Sequence, residues 1–381
     1  RSPAAPAPTF WPPLFSRNAF SKLTNLCFLT NPLDDAHAHG ETSRLLPSVA
    51  SRFFFLFILL FVLGAGHSPA QLAPATASSG ISSAPAAPLR AYPRSVESVA
   101  EAQIALARIG ISSGPIDGVA GPQTAAALRA FQQSRALPVT GRLDDATRAA
   151  LTLDVPPLST FLVTAADLAG LQPTGKSWLE KSQQSALAHE TALELVAERT
   201  HANPKFIKRL NPSINWDAPS SVSADTRLIV PHVVLAPFPA KAAHIEIRLA
   251  DRTLQARDIH GNLLVHFPVS IARKAEKRPL GDLRVTVVIP NPNYTFDPAN
   301  FPESPEALVD PTRKLILAPG PNNPVGVAWI GIDRPGYGIH GTHTPEQVGR
   351  TESIGCFRLA NWDARTLLSL AWVGLPVTVL P

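Results

Sequence analysis

The chain has 381 residues, 45% of them hydrophobic and 17% charged, enough for two or three domains with real cores, and this composition excludes wholesale disorder. Net charge is only +5 and the basic residues are scattered, so no Lys/Arg run marks a nucleic-acid partner. The 39 prolines against 22 glycines point to extended linkers around the folded parts. Methionine is absent even from position 1, so residues before about Ala50 are not expected to form a natural N-terminus. Phe53–Leu63 (FFFLFILLFVL) is too short to span a bilayer, which needs about 20 residues. Arg52 precedes this run and small residues ending at Ala70 follow it. The pattern predicts an N-terminal extension and signal peptide over 1–70, cleaved after Ala70. A buried core helix is the competing reading. The expectation is export to the periplasm or cell envelope, with membrane contact only through this segment. Of the two cysteines, Cys27 would leave with it, and Cys356 would remain as a single thiol unable to form an internal disulfide.

Residues 71–94 are rich in Ala, Pro and Ser and read as a linker. Over 95–153 the spacing predicts three helices. Val99, Gln103, Leu106 and Ile109 recur at helical period, Pro122 suits the first turn of a second helix, and Asp144 can cap a third. A dense glycine turn lies between the first two. GPIDGVAGPQTAAALRAFQQ followed by TGRLDDAT resembles the peptidoglycan-binding type 1 domain, which implies a small three-helix wall-binding module. Its turn glycines permit close backbone approach, to another helix or to a glycan. Residues 155–185 read as a further linker. Over 187–232, Leu193, Val196 and Ala197 fit one helix, Asn203-Pro204 opens another, and Arg227–Pro231 reads as a strand. This order is similar to a LysM module lacking a clear first strand, and a helical spacer is the other reading.

From residue 244 to 381 the pattern turns strand-like. Ile245, Ile247 and Leu249 alternate with polar residues, and LRVTVVI (283–289) is a second clear strand. His340-Gly341-Thr342 is followed sixteen residues after the histidine by Cys356, within SIGCFR. Asn361 can cap a helix carrying Ala364, Leu367, Leu368 and Ala371, and Pro376–Leu380 forms a last strand. A thiol attacks carbonyls as thiolate, and a histidine can take its proton and return it to a leaving amine. Arg358 adds positive charge two residues from the sulfur, favouring a thiolate or a bound carboxylate. Glycines 341 and 355 let substrate and backbone N–H groups come close. The residues alone leave open a structural cysteine with an unrelated histidine.

The segment resembles the L,D-transpeptidase, or YkuD, catalytic domain. FPVSI, YGIHGT and SIGCFR stand in order, with RPLGDLRV where the family usually carries a P-T-P-x-G-x-F/Y-x-V string. The resemblance implies a multidomain α+β chain with a mostly β catalytic domain. It also implies cleavage of a D-Ala bond in a peptidoglycan stem through a cysteinyl thioester, the acyl group passing to an amine to build a 3→3 cross-link or attach another acceptor. Peptidoglycan, stem and glycan, is then the partner, and no cofactor or metal is expected. Cys356 would be the nucleophile and His340 its proton partner. Arg358, Tyr337, Gly341, Thr342, Ser353 and Gly355 would bind substrate, Ser353 with the alternative of holding the turn. Ile354 stands where many members have a second histidine, which strengthens His340; His343 is a second candidate. Trp329 and Trp362 read as core residues, and the other histidines show no metal-ligand spacing. Two rivals stand beside transpeptidation: an L,D-carboxypeptidase using water, and a non-catalytic wall-binding protein.

Overall fold

The computed structural model describes residues 91–381, except 219, 220, 239, 352 and 354. The segment expected to be a signal peptide and most of the expected linker over 71–94 lie outside the described residues. Tyr92–Pro381 belong to one compact unit. Among the described residues no helix is long and apolar enough to cross a membrane.

The N-terminal part contains β1 (Arg94–Ser95), α1 (Val99–Arg108), α2 (Pro122–Ser134), α3 (Asp145–Ala150) and β2 (Thr152–Leu153), with β1 antiparallel to β2. The side chains of Ser98 and Asp144 accept backbone N–H groups at the starts of α1 and α3, and Pro122 opens α2 where an N–H would have no helical partner. Leu106, Ala127, Phe131 and Leu153 meet in its core. Gln103 is buried but satisfied. Its Oε1 accepts from the Asp117 and Gly118 N–H groups, and its Nε2 donates to Asp117 Oδ1 and Thr124 Oγ1.

The next part contains β3 (Leu158–Leu162), α4 (Ala165–Ala169), α5 (Trp178–Ser182), α6 (Ala192–Arg199), α7 (Pro204–Leu210) and β4 (Arg227–Pro231). Asn203 caps α7 and Pro204 is its first residue, as the sequence predicts. The segment expected as a linker over 155–185 is instead folded. β3 pairs antiparallel with β4 from Leu158↔Pro231 to Leu162↔Arg227, and Phe161 and Val163 join Leu195, Val196, Ile207 and Leu228 in one core. This supplies the first strand that the sequence reading does not find.

The C-terminal part contains β5 (His244–Arg248), β6 (Thr253–Arg257), β7 (Leu263–Pro268), β8 (Gly281–Pro290), β9 (Tyr294–Phe296), α8 (Pro305–Val309), β10 (Leu315–Leu317), β11 (Ala328–Ile332), β12 (Gly338–His340), β13 (Phe357–Arg358), α9 (Asn361–Leu370) and β14 (Pro376–Leu380). Among the described residues, eight of these strands form one sheet in the order β13-β12-β11-β8-β14-β5-β6-β7. Alternation puts Ile245, Ile247, Val377 and Val379 on the buried face, in one core with Ala364, Leu367 and Leu370 of α9. The sheet curls until its edges meet: Ser270, just past β7, exchanges two backbone hydrogen bonds with Arg358 of β13, at 2.9 and 3.0 Å. β9 and β10 pair as a separate arm. Trp178 of α5 stacks on this arm, 4.7 Å from the Phe296 ring and 5.9 Å from Tyr294.

The turn after α1 faces protein. The Ser112 N–H donates to His266 O, the Ile116 N–H to His201 O, and the Asn203 N–H to Ile116 O. A side chain at Gly118 would meet Arg209, so the close approach allowed there is to α7. Ser112 Oγ also donates to Asp363 Oδ2 at 3.0 Å, beneath the first turn of α9. Burial pushes the Asp363 carboxyl up to about 8, with the Ser112 hydrogen bond opposing. The unfolded chain releases this proton near pH 4. Stability contributed by Asp363 is therefore complete below that pH and is lost as pH rises to about 8. Buried His266 and His340, and half-buried His201, are pushed down to about 4 by desolvation and so act in the opposite sense, but only below about pH 6.5. Between pH 6.5 and 8 the wild type is expected to lose stability. Asp363→Asn is expected to lose less, and chemical denaturation of both proteins across this range checks it; parallel curves would contradict the assignment.

Candidate active site

β12 and β13 run parallel, with Ile339 opposite Phe357 and His340 opposite Arg358. Cys356 stands in a bend one residue before β13. The thiol is half-buried, and its hydrogen is donated to the Gly336 carbonyl at 3.5 Å. His340 is buried at 5% exposure, and its ring stacks on Trp329 of β11 with centroids 5.7 Å apart. Its Nδ1 lies 2.6 Å from the Gly341 carbonyl. A carbonyl only accepts, so Nδ1 carries the hydrogen and Nε2 keeps a lone pair. Burial, and then the Arg358 guanidinium, push His340 down to about 4, while the Gly341 carbonyl opposes this. The imidazole is thus neutral near pH 7 and able to accept a proton. Arg358 is half-buried; burial lowers its pKa, and the nearby Cys356 sulfur and Tyr294 of β9 raise it.

The remaining expected site residues divide. Tyr337 and Gly355 belong to the surface beside the thiol: the Tyr337 ring lies over Gly355, and Arg334 stacks on that ring at 4.9 Å. Three others sit beneath the surface. Ser353 is buried and its hydroxyl donates to the Cys356 carbonyl, so it holds the turn. Thr342, expected in the substrate groove, is 3% exposed, and its N–H donates to Asn361 Oδ1 at 3.1 Å. Gly341 is pressed against the same amide, so the space a side chain would need is taken by protein rather than left for substrate. A Cβ there would fall on Asn361 Oδ1 and 3.2 Å from Gly326 Cα and Val327 N. Gly341→Ala is therefore expected to cost about 1–3 kcal/mol of stability, as overpacking does, and thermal unfolding measures it.

Asn361 is not the helix cap that the sequence predicts. Ala360 occupies that position, and the fully buried Asn361 side chain points away into the loops. Trp329, read as core, is half-buried against the imidazole, whereas Trp362 is a core residue stacked on His201 at 5.2 Å. His343 is exposed. Although its surface is open to solvent, the protein packed around the ring, then Lys181 and Arg358, lower its pKa, and Glu190 raises it. Among the described residues no group of three or more His, Cys, Asp or Glu is placed to hold a metal ion.

Residues 242–379 match the family model of the L,D-transpeptidase catalytic domain. The chain carries an L,D-transpeptidase domain. Residues 95–151 match a second model, "Putative peptidoglycan binding domain". The chain is 25% identical over 192 residues to "Putative L,D-transpeptidase YkuD" of Bacillus licheniformis, covering 50% of this chain and 93% of that protein. It is 32% identical over 118 residues to "Putative L,D-transpeptidase YqjB" of Bacillus subtilis, covering 30% of this chain and 57% of that one. A solved structure, "L,D-transpeptidase from Mycobacterium smegmatis", is 18% identical with a TM-score of 0.29, covering 42% of this chain and 65% of that chain. The L,D-transpeptidase domain contains all the expected site residues, and the peptidoglycan-binding match covers the three-helix part.

Proposed function

We propose that the protein transfers acyl groups of peptidoglycan stem peptides through a thioester on Cys356. The observation that carries this reading is the pairing of β12 with β13. It sets His340 opposite Arg358, which lies two residues along the chain from Cys356, and the Nδ1–H of this imidazole is already engaged, so Nε2 is the nitrogen left to take a proton.

In the first half-reaction the thiol proton passes to His340 Nε2. The sulfur bonds to the stem carbonyl carbon, the carbon–nitrogen bond to the terminal D-Ala breaks, and the imidazolium returns the proton to the departing amine. Arg358 favours the thiolate before attack and can pair with a stem carboxylate. In the second half-reaction an acceptor amine attacks the thioester carbonyl, gives its proton to His340 and releases the sulfur. An amine from a second stem gives a 3→3 cross-link. The three-helix part holds the enzyme on its polymeric substrate, raising the local concentration of stems. Because the substrate is wall peptidoglycan, the protein works outside the cytoplasm, in the periplasm or cell envelope.

Mass spectrometry of products from a purified tetrapeptide stem, with and without an added amine acceptor, tests this. Transpeptidation gives an acceptor-linked product. Hydrolysis in both conditions would favour the carboxypeptidase, and unchanged substrate would favour a non-catalytic wall-binding protein.

A further inference from the structure

The imidazole proposed as proton partner is held by a chain of groups that leaves the catalytic domain. His340 Nδ1–H donates to the Gly341 carbonyl. The other edge of that same peptide, the Thr342 N–H, donates to Asn361 Oδ1, as does the Val327 N–H at 3.3 Å. Asn361 Nδ2 in turn donates to Glu198 Oε2 at 2.9 Å and to the Pro321 carbonyl at 3.1 Å. Glu198 belongs to α6, in the part built on β3 and β4.

An amide side chain can present either end to a neighbour. Here both partners of Oδ1 are donors, and both partners of Nδ2 accept, so the orientation of Asn361 is determined. The carboxylate is the charged member of this set and makes the stronger bond. Two planar units, the Asn361 amide and the Gly341–Thr342 peptide, then connect α6 to the imidazole, with every hydrogen bond pointing from His340 toward Glu198 or its neighbours. The contact is part of a wider grip by the same segment. The Leu187 N–H donates to Pro319 O at 2.9 Å, the Asn322 N–H to Leu187 O at 3.0 Å, and Asn322 Nδ2 to Glu194 Oε1 at 2.8 Å. His189 Nε2 lies 3.6 Å from the other Glu198 oxygen.

We propose that Glu198 is a positioning residue for His340: it fixes Asn361, Asn361 fixes the Gly341–Thr342 peptide, and the peptide fixes the tautomer and direction of the imidazole. The part of the chain between the wall-binding helices and the catalytic sheet thereby completes the active site. This rests on His340 being the proton partner of Cys356.

The test uses the full chain with Glu198→Ala and Glu198→Gln. Glutamine offers Asn361 an acceptor oxygen on a side chain of the same length. Glu198→Ala is expected to lower kcat on a tetrapeptide stem about tenfold, the scale of a lost buried hydrogen bond, with KM changed much less. Glu198→Gln is expected to recover most of that loss. The rate at which iodoacetamide alkylates Cys356 at pH 7, read on the peptide carrying it, is expected to fall in the same order. Circular dichroism melts monitor the fold. Unchanged kcat and alkylation in Glu198→Ala would overturn the proposal, as would equal impairment of both variants at an unchanged melting temperature. A wild-type Cys356 that alkylates no faster than free cysteine, with no turnover, would instead overturn the Cys356–His340 reading on which it rests.

Discussion

Replacing Cys356 with alanine is expected to abolish turnover while leaving the fold intact. The variant loses the one sulfur in the site, and no neighbour can take its place: the Ser353 hydroxyl is buried and already donates to the Cys356 carbonyl. Removing a nucleophile of this kind costs on the order of 10⁴-fold or more in rate. The side chain is half-buried at the mouth of a two-residue strand, so its loss opens little of the core, and the melting temperature is expected to stay close to wild type. Product formation from a stem peptide, followed by mass spectrometry, measures the effect. Cross-linking retained in Cys356→Ala would remove the thioester from the mechanism.

His340→Ala is expected to lower kcat/KM by about 10²–10⁴-fold, the range for a positioned acid–base group. His343→Ala is expected to lose far less. Both imidazoles feel the Arg358 charge, but only His340 pairs with Arg358 across β12 and β13 and has its Nδ1–H fixed on a carbonyl. His343 is exposed, three residues beyond the end of β12. Its coupling to Lys181 and Glu190 places it beside the α5 region rather than on the sheet. The reverse order of effects would move the proton partner to His343.

Much of the catalytic fold is legible in the sequence because a half-buried sheet imposes period two. Ile245, Ile247, Val377 and Val379 announce their strands and are all buried on one face. That Cys356, His340 and Arg358 are candidates is legible in the sequence, because one of its two cysteines is preceded by a glycine and followed two residues on by an arginine. The contributions of Asn361 and Glu198 are not. An asparagine before an amphipathic run reads as a cap, and only folding brings a glutamate 163 residues away to its amide. Gly341 and Thr342 mislead for the same reason: a glycine that admits a substrate and one that admits a buried asparagine look alike in one dimension. β3 escapes notice because its Ser159 and Thr160 follow two prolines and its partner, β4, lies beyond α7. The buried position of the turn after α1 is equally tertiary, since its glycines and isoleucine are also what a free binding loop could carry.

The central claim is a covalent acyl-enzyme on Cys356. Mixing the full-length protein with a tetrapeptide stem in the absence of an amine acceptor, quenching in acid and measuring intact mass tests it most directly. The account predicts a single mass increase equal to the stem less its terminal D-alanine, mapping to the peptide that contains Cys356 and removed by hydroxylamine as a thioester is. Turnover of the stem with no such adduct at any quench time, or an adduct on another residue, would contradict it.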